Sequence, residues 1–123
     1  MSRSHTDRVQ TVAAQLAARP AGVPVTIRKA TPSHTVRDTG YKASCHAVDV
    51  SGLREILEID VPNRLAIVEG QVLMGDLARA TLAHGLLPAV VPEFRNFTVA
   101  GLVNGEGIQS SSHRHGIFTH TLA

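Results

Sequence analysis

The chain of 123 residues is predicted to fold as a small α+β domain. Apolar residues recur at spacings of three and four over 6–19 and 75–84, the pattern of helices with one buried face. Short runs of branched or alternating apolar residues at 23–28, 45–50, 65–69 and 86–91 read as strands. Proline and glycine separate these segments at short intervals, so the connections are brief, and no internal repeat or low-complexity tract interrupts them.

The first helix is expected over 6–19, with Val9, Val12, Ala13 and Leu16 on the face packed against the domain, and Pro20, Ala21 and Gly22 ending it. A strand follows over 23–28, then a polar turn region K-A-T-P-S-H-T over 29–35. The second strand is expected over 45–50, with Ser51 capping a short turn over 52–56. Asn63 and Arg64 form the turn before a third strand over 65–69. The helix over 75–84 places Leu77, Ala78, Thr81 and Leu82 on one side and stops at Gly85. A fourth strand over 86–91 then leads into a glycine and serine segment.

Composition excludes several classes of function. With 43% hydrophobic and 18% charged residues the chain has the make-up of a globular domain. The formal net charge of +2 comes from scattered residues, not from the basic stripe that nucleic-acid binding asks for. One cysteine, Cys45, permits no intrachain disulfide and reads as a buried structural thiol. No segment approaches the roughly 18 uninterrupted apolar residues of a membrane span, and no apolar leader opens the chain. The sequence therefore reads as cytoplasmic, without a nucleic-acid partner or a membrane span.

Chemistry concentrates in 87–116, L-P-A-V-V-P-E-F-R-N-F-T-V-A-G-L-V-N-G-E-G-I-Q-S-S-S-H-R-H-G. Gly101, Gly105, Gly107 and Gly116 are four of the ten glycines, and glycine lets a backbone turn left-handed or approach a ligand closely. Ser110, Ser111 and Ser112 add hydroxyls, so the segment suits main-chain and short polar contacts to a phosphate. On spacing alone a plain connecting loop fits equally well. A Rossmann reading of Gly105-x-Gly107 needs an acidic residue about 20 positions on, and only 13 residues follow Ser110. No G-x-x-x-x-G-K-[ST] occurs, which removes the P-loop. His113, His115 and His120 lack a cysteine or an H-E-x-x-H companion, so no metal site is assigned. Asp49, Glu55, Glu58 and Asp60 read as a charged, solvated turn and not as an acid–base pair.

The run from Pro88 to Phe118 resembles the flavin-binding core of FAD-linked oxidoreductases of the vanillyl-alcohol oxidase type, the PCMH-type FAD-binding superfamily. It is most similar to the delta-24 sterol reductase, or diminuto-like, branch. The matching elements are Pro92-Glu93, Thr98-Val99-Ala100-Gly101-Leu102, Gly105-Glu106-Gly107, Ser110-Ser111-Ser112-His113 and Gly116. Ala100 departs from the first glycine of the family's T-V-G-G-L. Lys29 and Ser33-His34 match that branch's lysine and S-H or T-H pair in the loop after the first strand, where the family wraps the FAD pyrophosphate.

The resemblance implies 1–22 as a leading helix and linker and 23–123 as a partial PCMH-type FAD-binding domain, its first subdomain and the start of its second, truncated. It implies FAD as cofactor, with main-chain contacts from Thr98, Val99, Gly101, Gly105 and Gly107, polar contacts from Ser111, Ser112 and His113, a turn at Gly116, and phosphate contacts from Lys29, Ser33 and His34. For the branch it implies NADPH-dependent reduction of a carbon–carbon double bond in a sterol-like hydrophobic substrate, with no catalytic residue assignable within this stretch. The reading from another class is a non-catalytic remnant of the fold that serves, if at all, as a binding module.

Overall fold

The computed structural model describes residues 4–31 and 40–123, and these fall into two compact units that divide between residues 53 and 54. In the first unit, helix α1 (His5–Ala17) starts at a reciprocal cap. Asp7 N–H donates to Ser4 Oγ at 3.2 Å, and Ser4 N–H donates to Asp7 Oδ2 at 3.1 Å, so two N–H groups that a helix start leaves unpaired are satisfied together.

The face α1 turns inward is not the apolar one expected. Val9 and Leu16 are exposed, while Arg8, Val12 and Gln15 are half-buried. The reason is a polar attachment to β2 (His46–Asp49). Asp49 N–H donates to Gln15 Oε1 at 2.7 Å and Gln15 Nε2 donates to Asp49 O at 3.2 Å, so the amide pairs with strand backbone as a neighbouring strand would. His46 Nε2 donates to Gln15 O at 2.7 Å and adds a third tie.

Strand β1 (Val25–Arg28) lies parallel to β2, with Val25 opposite His46 and Arg28 opposite Asp49. A parallel pair needs a crossover connection, and a 3-10 turn at Tyr41–Ser44 ends that connection here. Cys45, expected to be buried, is half-exposed, and its thiol donates to Tyr41 O at 3.5 Å.

In the second unit, β3 (Ile56–Asp60) and β4 (Leu65–Val68) form an antiparallel hairpin, Ile56 opposite Val68 and Asp60 opposite Leu65. Glu58 and Asp60 therefore lie on a strand and not in the charged turn expected of them. Arg64 closes the connection at φ 56°, a left-handed conformation unusual for a side chain with a Cβ. Beyond the hairpin, buried Glu69 continues the pairing: its N–H donates to Glu55 O at 3.0 Å, and its Oε2 accepts Glu55 N–H at 2.7 Å.

Helices α2 (Met74–Leu82) and α3 (Val99–Gly105) follow, and each is started by the other's approach segment. Met74 N–H donates to Phe97 O at 2.8 Å and Gly75 N–H to Arg95 O at 2.9 Å. Val99 N–H donates to Val72 O at 2.9 Å and Ala100 N–H to Gly70 O at 2.8 Å. Leu73 and Thr98, the two N-caps, pair as an isolated antiparallel bridge. Every partner in one set maps to the other by a shift of 25 positions, as from Leu73 to Thr98, so the junction is a local two-fold arrangement.

The core forms around this junction. Met74 and Leu77 from α2, Val99 and Leu102 from α3, and Val72, Val90 and Phe118 are buried together, with Ile56, Val68, Phe97 and Val103 packed around them. Gly85, at φ 72°, ends α2 as expected, and Leu86 N–H turns back to Thr81 O at 3.1 Å.

Residues 86–91, expected as a strand, belong to no strand or bridge. Pro88 and Pro92 cannot donate to a ladder, and the stretch is held instead by buried Val90 and by the hydrogen bond that Ser111 Oγ donates to Ala89 O. Among the described residues no helix is long and apolar enough to cross a membrane.

Candidate functional site

The segment 98–116 begins with the helix α3. Thr98, buried, caps α3: its Oγ1 accepts Gly101 N–H at 3.1 Å. With the N–H groups of Val99 and Ala100 paired to Val72 and Gly70, the first three donors of α3 are consumed inside the protein. The start of α3 is thus not an open cradle for an anion. Thr98 and Val99 are both buried.

What α3 offers outward is bare backbone. Gly101 and Gly105, four positions apart, lie on one side of the helix and are both exposed, whereas Val99 and Leu102 are buried. A Cβ built on Gly105 meets no atom within 4 Å. The helix ends at Glu106, which carries the left-handed turn at φ 57°, so the strain falls on the residue between the two glycines.

Gly107 and Gly116 are required for packing. A Cβ on Gly107 would come within 2.6 Å of Leu102 Cδ2, and Gly107 O accepts Phe118 N–H at 3.0 Å. Gly116 has φ 76°, and the His120 ring lies against it where a side chain would stand. Among the four glycines of the segment it alone has a positive φ.

The polar run is built as a stitched loop leading into the short helix α4 (Ser112–His115). Ser111 Oγ donates to Ala89 O at 2.9 Å, and Glu93 N–H donates to Gln109 Oε1 at 3.1 Å, which ties 109–111 to 89–93. Gln109 N–H donates to Ser112 Oγ at 2.9 Å, and His113 Nδ1 donates to Ser110 O at 2.8 Å. Specific capacity remains after these bonds. Among the described residues the Ser112 hydroxyl proton, the Ser111 oxygen lone pairs and His113 Nε2 have no further partner. The N–H groups of Ser110 and Ser111 have no acceptor among the described residues.

Lys29 lies in the first unit, half-buried directly after β1. Ser33 and His34 lie outside the described residues. Among the described residues no group of three or more His, Cys, Asp or Glu side chains is placed to hold a metal ion.

An open groove of about 620 Å³ in the second unit is lined mainly by apolar side chains, including Leu65, Val68, Leu77, Pro88, Phe118 and Leu122. Gly101, Gly105 and Ser111–His113 do not line it. Residue spacing had pointed to Gly101 and Gly105 without showing that they share a face. The groove had no sequence signal, because its walls come from separate segments.

A family model described as an FAD binding domain matches residues 4–123. The chain is 40% identical over 124 aligned residues to the Delta(24)-sterol reductase of Pisum sativum, an alignment covering 98% of this chain and 22% of that protein. It is 39% identical over 80 residues to the Delta(24)-sterol reductase of Homo sapiens, covering 65% of this chain and 15% of that protein. With cytokinin dehydrogenase 2 of Oryza sativa subsp. japonica it shares 30% identity over 106 residues, 80% of this chain and 18% of the relative. The chain thus spans about a fifth of the length of the curated relatives it matches. With nearly its whole length matched by that family model, the chain belongs to the FAD binding domain family of flavin-dependent oxidoreductases.

Proposed function

We propose that this chain supplies part of the FAD site of a delta-24 sterol reductase-like enzyme, one that reduces a carbon–carbon double bond with electrons from NADPH. The cofactor-binding part is 23–123, with 1–22 as leading helix and linker. The observation that carries the reading is the bare face of α3: Gly101 and Gly105 leave exposed backbone with open space above Gly105. A flat, polar-edged cofactor fits such a surface, because no side chain holds it off the backbone.

Bound FAD supplies the hydride chemistry, and the chain's residues bind and orient it. Gly101 and Gly105 give the contact surface. Ser112 donates through its free hydroxyl proton, and the Ser110 and Ser111 N–H groups donate from the loop. His113 Nε2 accepts when the ring is neutral and donates when it is protonated. Gly107, Gly116, Thr98 and Val99 hold these groups in position. In the first unit Lys29 offers a cation to a phosphate, where charge-assisted hydrogen bonds are the strong ones.

The test is uptake of flavin. The purified chain is incubated with excess FAD, desalted, and read by visible absorption and flavin fluorescence. Retained bands with quenched fluorescence are expected, and Gly105→Val, which adds bulk where the fold has room, should abolish retention while the far-ultraviolet dichroism stays native. A folded wild-type chain that takes up no flavin would overturn the reading and leave a non-catalytic α+β module.

A further inference from the structure

The contact between Gly70 and Ala100 joins two facts that stand apart in the sequence. Ala100 stands in the first turn of α3 beside the segment 70–72, and its methyl group needs space there. The space is found on the neighbouring segment. A Cβ built on Gly70 would lie 3.1 Å from Ala100 Cβ, closer than methyl groups normally approach, and among the described residues it would meet no other side chain or backbone beyond its chain neighbours within 4 Å.

The two backbones are tied at the same point, Ala100 N–H donating to Gly70 O at 2.8 Å, so they cannot separate to admit a second methyl without stretching that bond. Gly70 does not have the positive φ that would by itself call for glycine. Its lack of a side chain is explained by Ala100 alone.

The position of this contact gives it a role. Gly70 O and Val72 O receive the first two N–H groups of α3, so the segment 70–72 sets where the helix starts and which way Gly101 and Gly105 face. Buried Glu69, bonded to Glu55 through both its N–H and its carboxylate, fixes that segment against β3. We propose that Gly70 and Ala100 are a positioning pair for the flavin-binding face of α3, in which the absent side chain of one accommodates the methyl of the other. This rests on the cofactor reading given above.

The test is a double-mutant cycle with Gly70→Ala, Ala100→Gly and the combined variant, each measured for FAD affinity by fluorescence quenching and for stability by urea unfolding. Gly70→Ala should weaken FAD binding by about tenfold while unfolding stays cooperative. Ala100→Gly should stay within about twofold of the wild type, and the combined variant should return to within about threefold of it. Equal binding by Gly70→Ala and wild type, or a combined variant as weak as Gly70→Ala, would overturn the pairing. If Gly70→Ala does not fold, a combined variant that folds and binds supports the pair, and one that does not overturns it. A wild-type chain that takes up no FAD removes the cofactor reading together with the role of the pair. That result is distinct from a binding wild type without rescue, which removes the pair alone.

Discussion

Helices α2 and α3 begin on the same backbone plan, 25 positions apart, and differ in what they turn outward. At the start they are equivalent: Met74 and Val99 are buried first residues, Leu77 and Leu102 are buried one turn later, and each helix takes two carbonyls from the segment leading into the other. On the outer side α2 carries Asp76 and Arg79, joined by a 3.0 Å ion pair, where α3 has Gly101 and Asn104. One helix is finished as an ordinary solvated surface, whereas the other exposes backbone. The shared junction holds the buried core, and the difference lies on the face proposed above for the cofactor.

If the junction carries the stability of the second unit, its most buried member should be the most sensitive. Met74→Ala is expected to cost about 2–5 kcal/mol, since it removes a fully buried side chain beneath both helix starts. Urea unfolding would measure it, and a loss below 1 kcal/mol would mean that the two helices do not share one core. Gly75→Ala strikes the α2 end of the junction. The new Cβ would stand 2.7 Å from Arg95 Cβ and 3.2 Å from Arg95 O, and overpacking of this kind costs about 1–3 kcal/mol.

Thr98→Ala separates the helices further, because α3 has a side-chain cap and α2, with Leu73 at its N-cap, has none. A loss of about 0.5–2 kcal/mol is expected, with hydrogen exchange rising at Gly101 and not at Asp76. The smallest effect lies outside both helices, in the β3–β4 turn. The Asn63 side-chain amide, then its N–H, hold the Asp60 carboxyl below its ordinary range. A folded-state pKa below the unfolded one stabilises the fold above about pH 4, and this contribution is lost as pH falls through the lowered value. Asn63→Ala should raise the Asp60 titration midpoint by NMR and leave both helices unchanged.

Legibility in the sequence follows the range of the forces that build each part. Ser4 with Asp7 three positions on, and Gly85 after Leu82, set helix ends through neighbours in the chain, so α1 and α2 can be read directly from spacing and caps. The same holds for β1, β2 and β4, whose apolar runs are bounded by turn residues. In α1 the reading failed at the choice of face, because a long-range amide clamp from Gln15 to Asp49 decided it.

By itself, the sequence determined the α+β class, most element positions, and the glycine and serine segment by which the family can be recognised. The tertiary structure alone decided that 98–105 is helix, that 86–91 is not strand, and that Glu58 and Asp60 lie on β3. With Gly101 and Gly105 in it, the α3 segment has low intrinsic helix preference and is started by carbonyls from 70–72. The strand preference of 86–91 was not realised because no strand lies beside it. The deciding partner of α3 lies more than 20 positions away, that of 86–91 is missing, and that of Glu58 and Asp60 is β4 across the hairpin turn, so spacing within one segment records none of them.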